Sequence, residues 1–116
     1  MIKRKEELIV EPRSEIRGGN GVIPFTHLLS ADEIGKTGRT YALMTIEPGC
    51  SIGEHDHQGE AEVYWVLDGD IHCTDDGAEE MLHAGDVMYT SSGHRHSIEN
   101  LGDKTVNVLA LIIKNV

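Results

Sequence analysis

Aromatic residues are scarce in this chain of 116 residues, with one tryptophan, one phenylalanine and three tyrosines, so aliphatic side chains must fill its core. Cysteine is nearly absent. Cys50 and Cys73 are too few for a disulfide framework, and Cys50, near a histidine pair, reads as a small buried hydrophobe. No apolar run approaches the length of a membrane span. The start, Met1-Ile-Lys-Arg-Lys-Glu-Glu, lacks the apolar centre of a signal peptide, so a cytoplasmic location is expected. Basic residues are outnumbered 10 to 20, giving a net charge of -10. Phosphate backbones and anionic membranes repel such a surface, and Lys3-Arg4-Lys5, beside Glu6-Glu7, is too small a run to offset it. Nucleic acid and membrane are therefore excluded as expected partners. Internal repeats and low-complexity tracts are lacking too. The length fits one domain that buries roughly two thirds of its unfolded surface.

What is present is a series of short strand patterns. Leu8-Ile9-Val10 is a strand candidate whose Pro12 marks it as an edge. Gly18-Gly-Asn20-Gly21 carries an Asn-Gly hairpin signal, and residues 22 to 29 follow as a strand. Ser30-Ala-Asp-Glu33 has the form of a capping box, so one helical turn opens within a loop spanning 30 to 38, placed at the mouth of the fold. Further strands are expected over 40 to 47, 63 to 67, 71 to 74, 80 to 83, 87 to 90, 94 to 99 and 105 to 113. Asp75-Asp-Gly77 gives a second hairpin signal. Short strands separated by glycine and aspartate turns argue for an all-β sandwich or barrel.

The chemistry concentrates in His55, His57, Glu62 and His96. Residues two apart on a strand point the same way, so His55 and His57 project together. Gln58-Gly59 reads as a turn, and a return strand brings Glu62 beside them. Imidazole and carboxylate together suit a divalent first-row metal. Four such donors leave open positions for a ligand on a metal that takes five or six. The set accepts Mn, Fe, Ni, Co or Zn, and the sequence does not choose among them.

These residues sit in two motifs. Gly49, His55, His57, Glu62 and Gly69 match glycine-x5-histidine-x-histidine-x4-glutamate-x6-glycine. Gly85, Gly93, His96 and Asn100 match glycine-x5-proline-x-glycine-x2-histidine-x3-asparagine, with Ser91 in place of the proline. On this pair of motifs the chain resembles the single-domain cupins. The resemblance implies one small antiparallel jelly-roll barrel over 1–116, with a core at 39–113 and an N-terminal arm at 1–29. It also implies one divalent metal inside the barrel, held by His55, His57, Glu62 and His96. The serine loosens one turn and touches no ligand.

Strand parity extends the reading. If Glu62 points inward, so do Tyr64 and Val66, and Ile98 shares the parity of His96; these three are expected to line a ligand cavity. Val63, Trp65 and Leu67 then face out, and the last strand is apolar on both faces. Strands apolar on both faces are covered on both faces. The cover is the N-terminal segment or a second subunit, and a homodimer is the favoured expectation. Parity also sets His94 beside His96, as the candidate catalytic acid or base, with an extra ligand or a backbone hydrogen bond at the strand end as the other readings. Glu54, Asp56 and Glu60 are read as solvated, and His27, His72 and His83 as structural or exposed.

Three functions follow. The first is a metal-dependent enzyme on a small oxygen-rich molecule such as a dicarboxylate: a decarboxylase, dioxygenase or isomerase. The run from His55 to Gly69 is most similar to the oxalate-decarboxylase-like group. Decarboxylases of that group are double-barrel chains with an acidic lid residue, and no segment here matches the lid. The second is a binding or sensing module for a small acid or sugar. The third, a structural barrel with an incidental site, fits poorly with four intact ligands.

Overall fold

Short alternating segments and glycine turns produce ten antiparallel strands in the computed structural model, which describes residues 1–115. They are β1 (Ile9–Ser14), β2 (Val22–His27), β3 (Gly38–Ile46), β4 (Ser51–Asp56), β5 (Glu60–Val66), β6 (Asp70–Asp75), β7 (Ala78–His83), β8 (Val87–Thr90), β9 (Arg95–Glu99) and β10 (Val106–Lys114). One sheet has the order β1-β2-β3-β10-β5-β8 and the other β4-β9-β6-β7. The core lies between them. Ile23, Met44, Tyr64, Val66 and Val108 come from the first sheet and Ile52, Ile71, Cys73 and Ile98 from the second, all in one buried cluster. The architecture is the jelly roll, and the two sheets are not hydrogen-bonded into a closed cylinder.

Alternation places the side chains as period two requires. Along β3 every second residue, from Thr40 to Ile46, is buried. The inner row Thr40–Ile112–Glu62–Thr90 crosses four adjacent strands in register. It sets a buried carboxylate one strand from a buried hydroxyl. Asn100 is fully buried. Its side-chain amide donates to the carbonyls of Ile46 and Lys104, and its oxygen accepts from Gly102 N–H, so the motif asparagine closes a turn. The Ser91 turn is likewise formed, with its carbonyl accepting from His94 N–H at 3.1 Å.

Two expectations change in detail. The Asn-Gly signal does mark the β1–β2 hairpin, but the connection is a seven-residue loop, 15–21, containing a 3-10 turn at Ile16–Gly18. The loop is long because it docks on β4. Gly19 and Gly53 let two backbones meet: a Cβ on Gly53 would lie 2.1 Å from the carbonyl oxygen of Arg17, and one on Gly19 2.2 Å from that of Ser51. The capping box forms, with Glu33 N–H donating to Ser30 Oγ and Glu33 accepting from Ser30 N–H, and it opens the single α-turn α1 (Ala31–Ile34). That turn packs on β3, and the 30–38 segment contributes nothing to the cavity described below.

The N-terminal arm does not cover the outer face of the larger sheet. It extends that sheet sideways, with β1 as the edge strand and Pro12 within it. The outer face carries two apolar rows across β3, β10, β5 and β8: Tyr41–Leu111–Val63–Tyr89 and Leu43–Leu109–Trp65–Val87. Trp65, Val87 and Tyr89 are exposed. No helix among the described residues is long and apolar enough to cross a membrane.

Candidate metal centre

His55 and His96 face each other directly across the β4–β9 pair. A bulge makes this possible. Between Ile52 and His55 the register slips, so that three steps along β4 match two along β9. Without the slip, the inward parity of Ile52 would carry Glu54 inside. The extra residue turns His55 inward instead and leaves Glu54 and Asp56 exposed. His57 follows β4 directly and is buried, and Glu62 arrives from β5 of the other sheet.

One ligand atom from each of His55, His57, Glu62 and His96 lies within 4.8 Å of all the others. The imidazoles meet through their Nε2 atoms, at 3.1 Å between His57 and His96 and 3.2 Å between His96 and His55. Glu62 Oε1 is 3.0 Å from His57 Nε2 and 3.2 Å from His96 Nε2. Each Nδ1 is held from behind. His55 Nδ1 donates to the Gly53 carbonyl at 2.7 Å and His57 Nδ1 to Glu60 Oε1 at 3.0 Å, while His96 Nδ1 pairs with Thr90 Oγ1 at 2.8 Å. A carbonyl and a carboxylate only accept, so the hydrogens of neutral His55 and His57 sit on Nδ1 and their Nε2 lone pairs point inward. Lone pairs crowded at about 3 Å around a carboxylate need positive charge among them. The chemistry of the donor set fits a divalent transition metal.

Protons answer the same need for positive charge. Burial works to raise the Glu62 carboxyl, but the imidazoles of His57 and His96 outweigh it and hold it at about 2, as a carboxylate. Glu62, ahead of Glu60, raises the imidazole of His57. Burial lowers that of His55. Burial and then the Glu62 charge push the Tyr64 phenol well above its ordinary value. The Tyr64 ring stacks on His96 at 4.9 Å with 12° between planes, fixing that imidazole by contact as well as by hydrogen bond.

A cavity of about 170 Å³ opens onto His55, His57, Glu62 and Tyr64. Val66 and Ile98, expected to share in it, lie deeper. Both are fully buried in the core cluster and form none of its wall, because parity sets a side but not a depth. Phe25, Met44, Ile52 and Ile112 supply the apolar wall instead. The rim holds Arg13, Arg17 and Arg39, residues that no motif singles out. His94 also departs from its expected place. Strand β9 begins only at Arg95, so the parity that pairs His94 with His96 does not extend to it. Its side chain is exposed and its Nδ1 is bonded to Asp76 Oδ2 at 2.6 Å. Glu60, read as solvated, is the opposite case. Strand β5 starts at Glu60 itself, and its carboxylate binds both His57 and the fork of Arg39, at 2.9 Å to Nε and 2.9 Å to Nη2. Arg39 and then His57 hold it at about 2 against burial.

Residues 42–112 match the family described as the cupin domain, a span that includes all four candidate donors. The chain is a cupin. It is 42% identical over 113 residues to an oxalate-binding protein of Thermotoga maritima, covering 97% of this chain and 93% of that protein. A crystal structure described as a predicted oxalate decarboxylase, also from Thermotoga maritima, superposes with a TM-score of 0.91 at 41% identity, covering 98% of this cupin and 99% of that chain. A β-D-galactosidase of Mycobacterium tuberculosis is 31% identical over 87 residues, 75% of each chain. The candidate donors of this cupin therefore lie in a frame shared by proteins whose described activities differ widely, and the activity must be argued from the site.

Proposed function

We propose that this cupin holds one divalent first-row metal on His55, His57, Glu62 and His96 and binds a small dicarboxylate beside it, oxalate foremost. The observation that carries the reading is the convergence of three Nε2 atoms on a buried carboxylate, with every Nδ1 occupied behind. A bound ion would supply Lewis acidity and open positions for carboxylate oxygens. The cavity, about 170 Å³, is smaller than the usual range for drug-sized ligands, which favours a molecule of few heavy atoms. The oxalate-binding relative supports the choice of acid.

Binding is favoured over turnover. Among the described residues, the only carboxylate lining the cavity is Glu62, a metal donor. Glu60 is committed to Arg39 and His57, and His94 to Asp76. Tyr64, with its phenol raised, is a poor proton donor. A decarboxylation needs a proton delivered to the carbon that loses CO2, and no side chain in this cavity is placed to give one. The test is titration calorimetry of metal-loaded protein with oxalate, followed by assay for formate and CO2. One metal per chain, oxalate binding and no product are expected. Protein in which His57→Ala and His96→Ala together leave the metal content unchanged would refute the site.

The same reading includes a homodimer through the outer face of the larger sheet. Its two apolar rows carry no charged side chain across four strands, so two copies of a chain with net charge -10 can meet there without like-charge contact.

A further inference from the structure

Basic residues are few in this chain, and their placement is uneven. Three of the five arginines, Arg13, Arg17 and Arg39, line the cavity at the metal donors, and none of the five lysines does. Two of the three come from the β1–β2 hairpin, outside the segment that carries the donors. Each is held in a way that leaves hydrogen-bond donors free. Arg13 spends Nε and Nη2 on Glu11 Oε1 at 3.1 and 3.0 Å, and its guanidinium lies 4.3 Å over the Phe25 ring, itself in the cavity wall. Arg17 has no ion-pair partner among the described residues. It stands in the left-handed region at φ 54°, and its carbonyl is seated against Gly53, the residue whose own carbonyl orients His55. A guanidinium has five N–H donors and stays charged, and its fork matches a carboxylate.

We infer that the β1–β2 hairpin selects the ligand: Arg13 and Arg17 bind the carboxylate of a dianion that the metal does not neutralise, and so distinguish dicarboxylates from monocarboxylates. The inference rests on the metal-site reading above. A single carboxylate can satisfy the open metal positions alone and gains little from the rim. A second one, at the cavity mouth in a surface of net charge -10, meets repulsion everywhere except at these guanidiniums. Phe25 and Glu11 hold the Arg13 guanidinium in place, which lowers the ordering cost of that recognition, and the Gly53 contact fixes the backbone from which Arg17 reaches the cavity.

The experiment is calorimetric titration of metal-loaded wild type, Arg13→Gln, Arg17→Gln and Lys36→Gln with oxalate, malonate and acetate, with metal content and melting temperature measured on each. Loss of a charge-assisted contact should weaken oxalate about tenfold or more in both arginine variants. Acetate should change less than about threefold, and metal content should stay full. Lys36→Gln, which removes an equal charge away from the cavity, should alter neither. Arg17→Lys keeps the charge without the fork and should restore oxalate affinity only in part. Equal weakening of oxalate and acetate, or a parallel effect of Lys36→Gln, would show a general field and overturn the selective role. Unchanged oxalate affinity in both arginine variants would overturn the hairpin's part while leaving the metal reading intact. A wild type that holds metal but binds neither dicarboxylate would overturn both.

Discussion

His57 is gripped at both ends, by Glu62 on the metal side and by Glu60 behind, and Glu60 in turn is clamped by Arg39. Partners behind a metal-ligating histidine fix its tautomer and raise its basicity. Glu60→Gln keeps the shape of this contact and removes its charge. It is expected to lower metal affinity by ~10- to 100-fold with an unchanged circular dichroism spectrum, measured by competition with a chelating dye. Acid should act on the same atoms. The Nε2 lone pairs must be free for a metal to bind, and Glu62 raises the imidazole of His57, so protons compete there more strongly than at a free histidine. Affinity is therefore expected to fall steadily as pH drops from about 7 to about 5, and the dye competition repeated across that range reads it directly. The clustering of His55, His57, Glu62 and His96 is legible in the sequence because their spacing is set by strand pairing and two glycine-bounded turns. Glu60 and His94 are not. Their roles depend on whether a strand begins one residue earlier or later, and turn residues do not specify that boundary.

Among the elements, β4 does the most to shape the site. Its bulge reverses the parity between Ile52 and His55, and Gly53 within it touches both the hairpin loop and the His55 ring. A methyl group there would sit 2.1 Å from a backbone oxygen that has no rotamer to give way. Gly53→Ala is expected to cost about 1–3 kcal/mol of stability and to displace the hairpin. Thermal denaturation should show the first effect, and an oxalate affinity that drops more than the metal affinity should show the second. Apolar runs bounded by glycine, proline and aspartate turns revealed most of the strands, β3 and β5 most clearly. The bulge left no such mark. An extra residue in a strand shifts parity without changing composition, and only the partner strand shows where the slip occurs.

At the scale of the molecule, a metal held on these four residues would join the two sheets, since β4 and β9 belong to one and β5 to the other. An ion that binds the folded chain alone adds about 2.7 kcal/mol at a hundredfold excess over its dissociation constant. Removing it with EDTA is thus expected to lower the melting temperature by about 10 °C or more. The outer apolar face gives the second expectation at this scale. Light scattering at micromolar concentration should find a dimer, and Trp65→Glu should give a folded monomer, because a buried unpaired charge would sit in the middle of the row Leu43–Leu109–Trp65–Val87. That face was legible from two-sided hydrophobicity alone. The arm's position was not, since nothing in residues 1 to 29 distinguishes lying over a sheet from lengthening it.

The order of the site along the chain has a consequence for how such a protein is altered. The four residues that could hold a metal lie between 55 and 96, whereas Arg13 and Arg17, which line the cavity, come from the hairpin well before them. Inventing a new guest for this vessel thus calls for rewriting its preface, not its plot: a chimera that borrows only its β1–β2 hairpin from another cupin is expected to keep all four candidate donors and change its appetite.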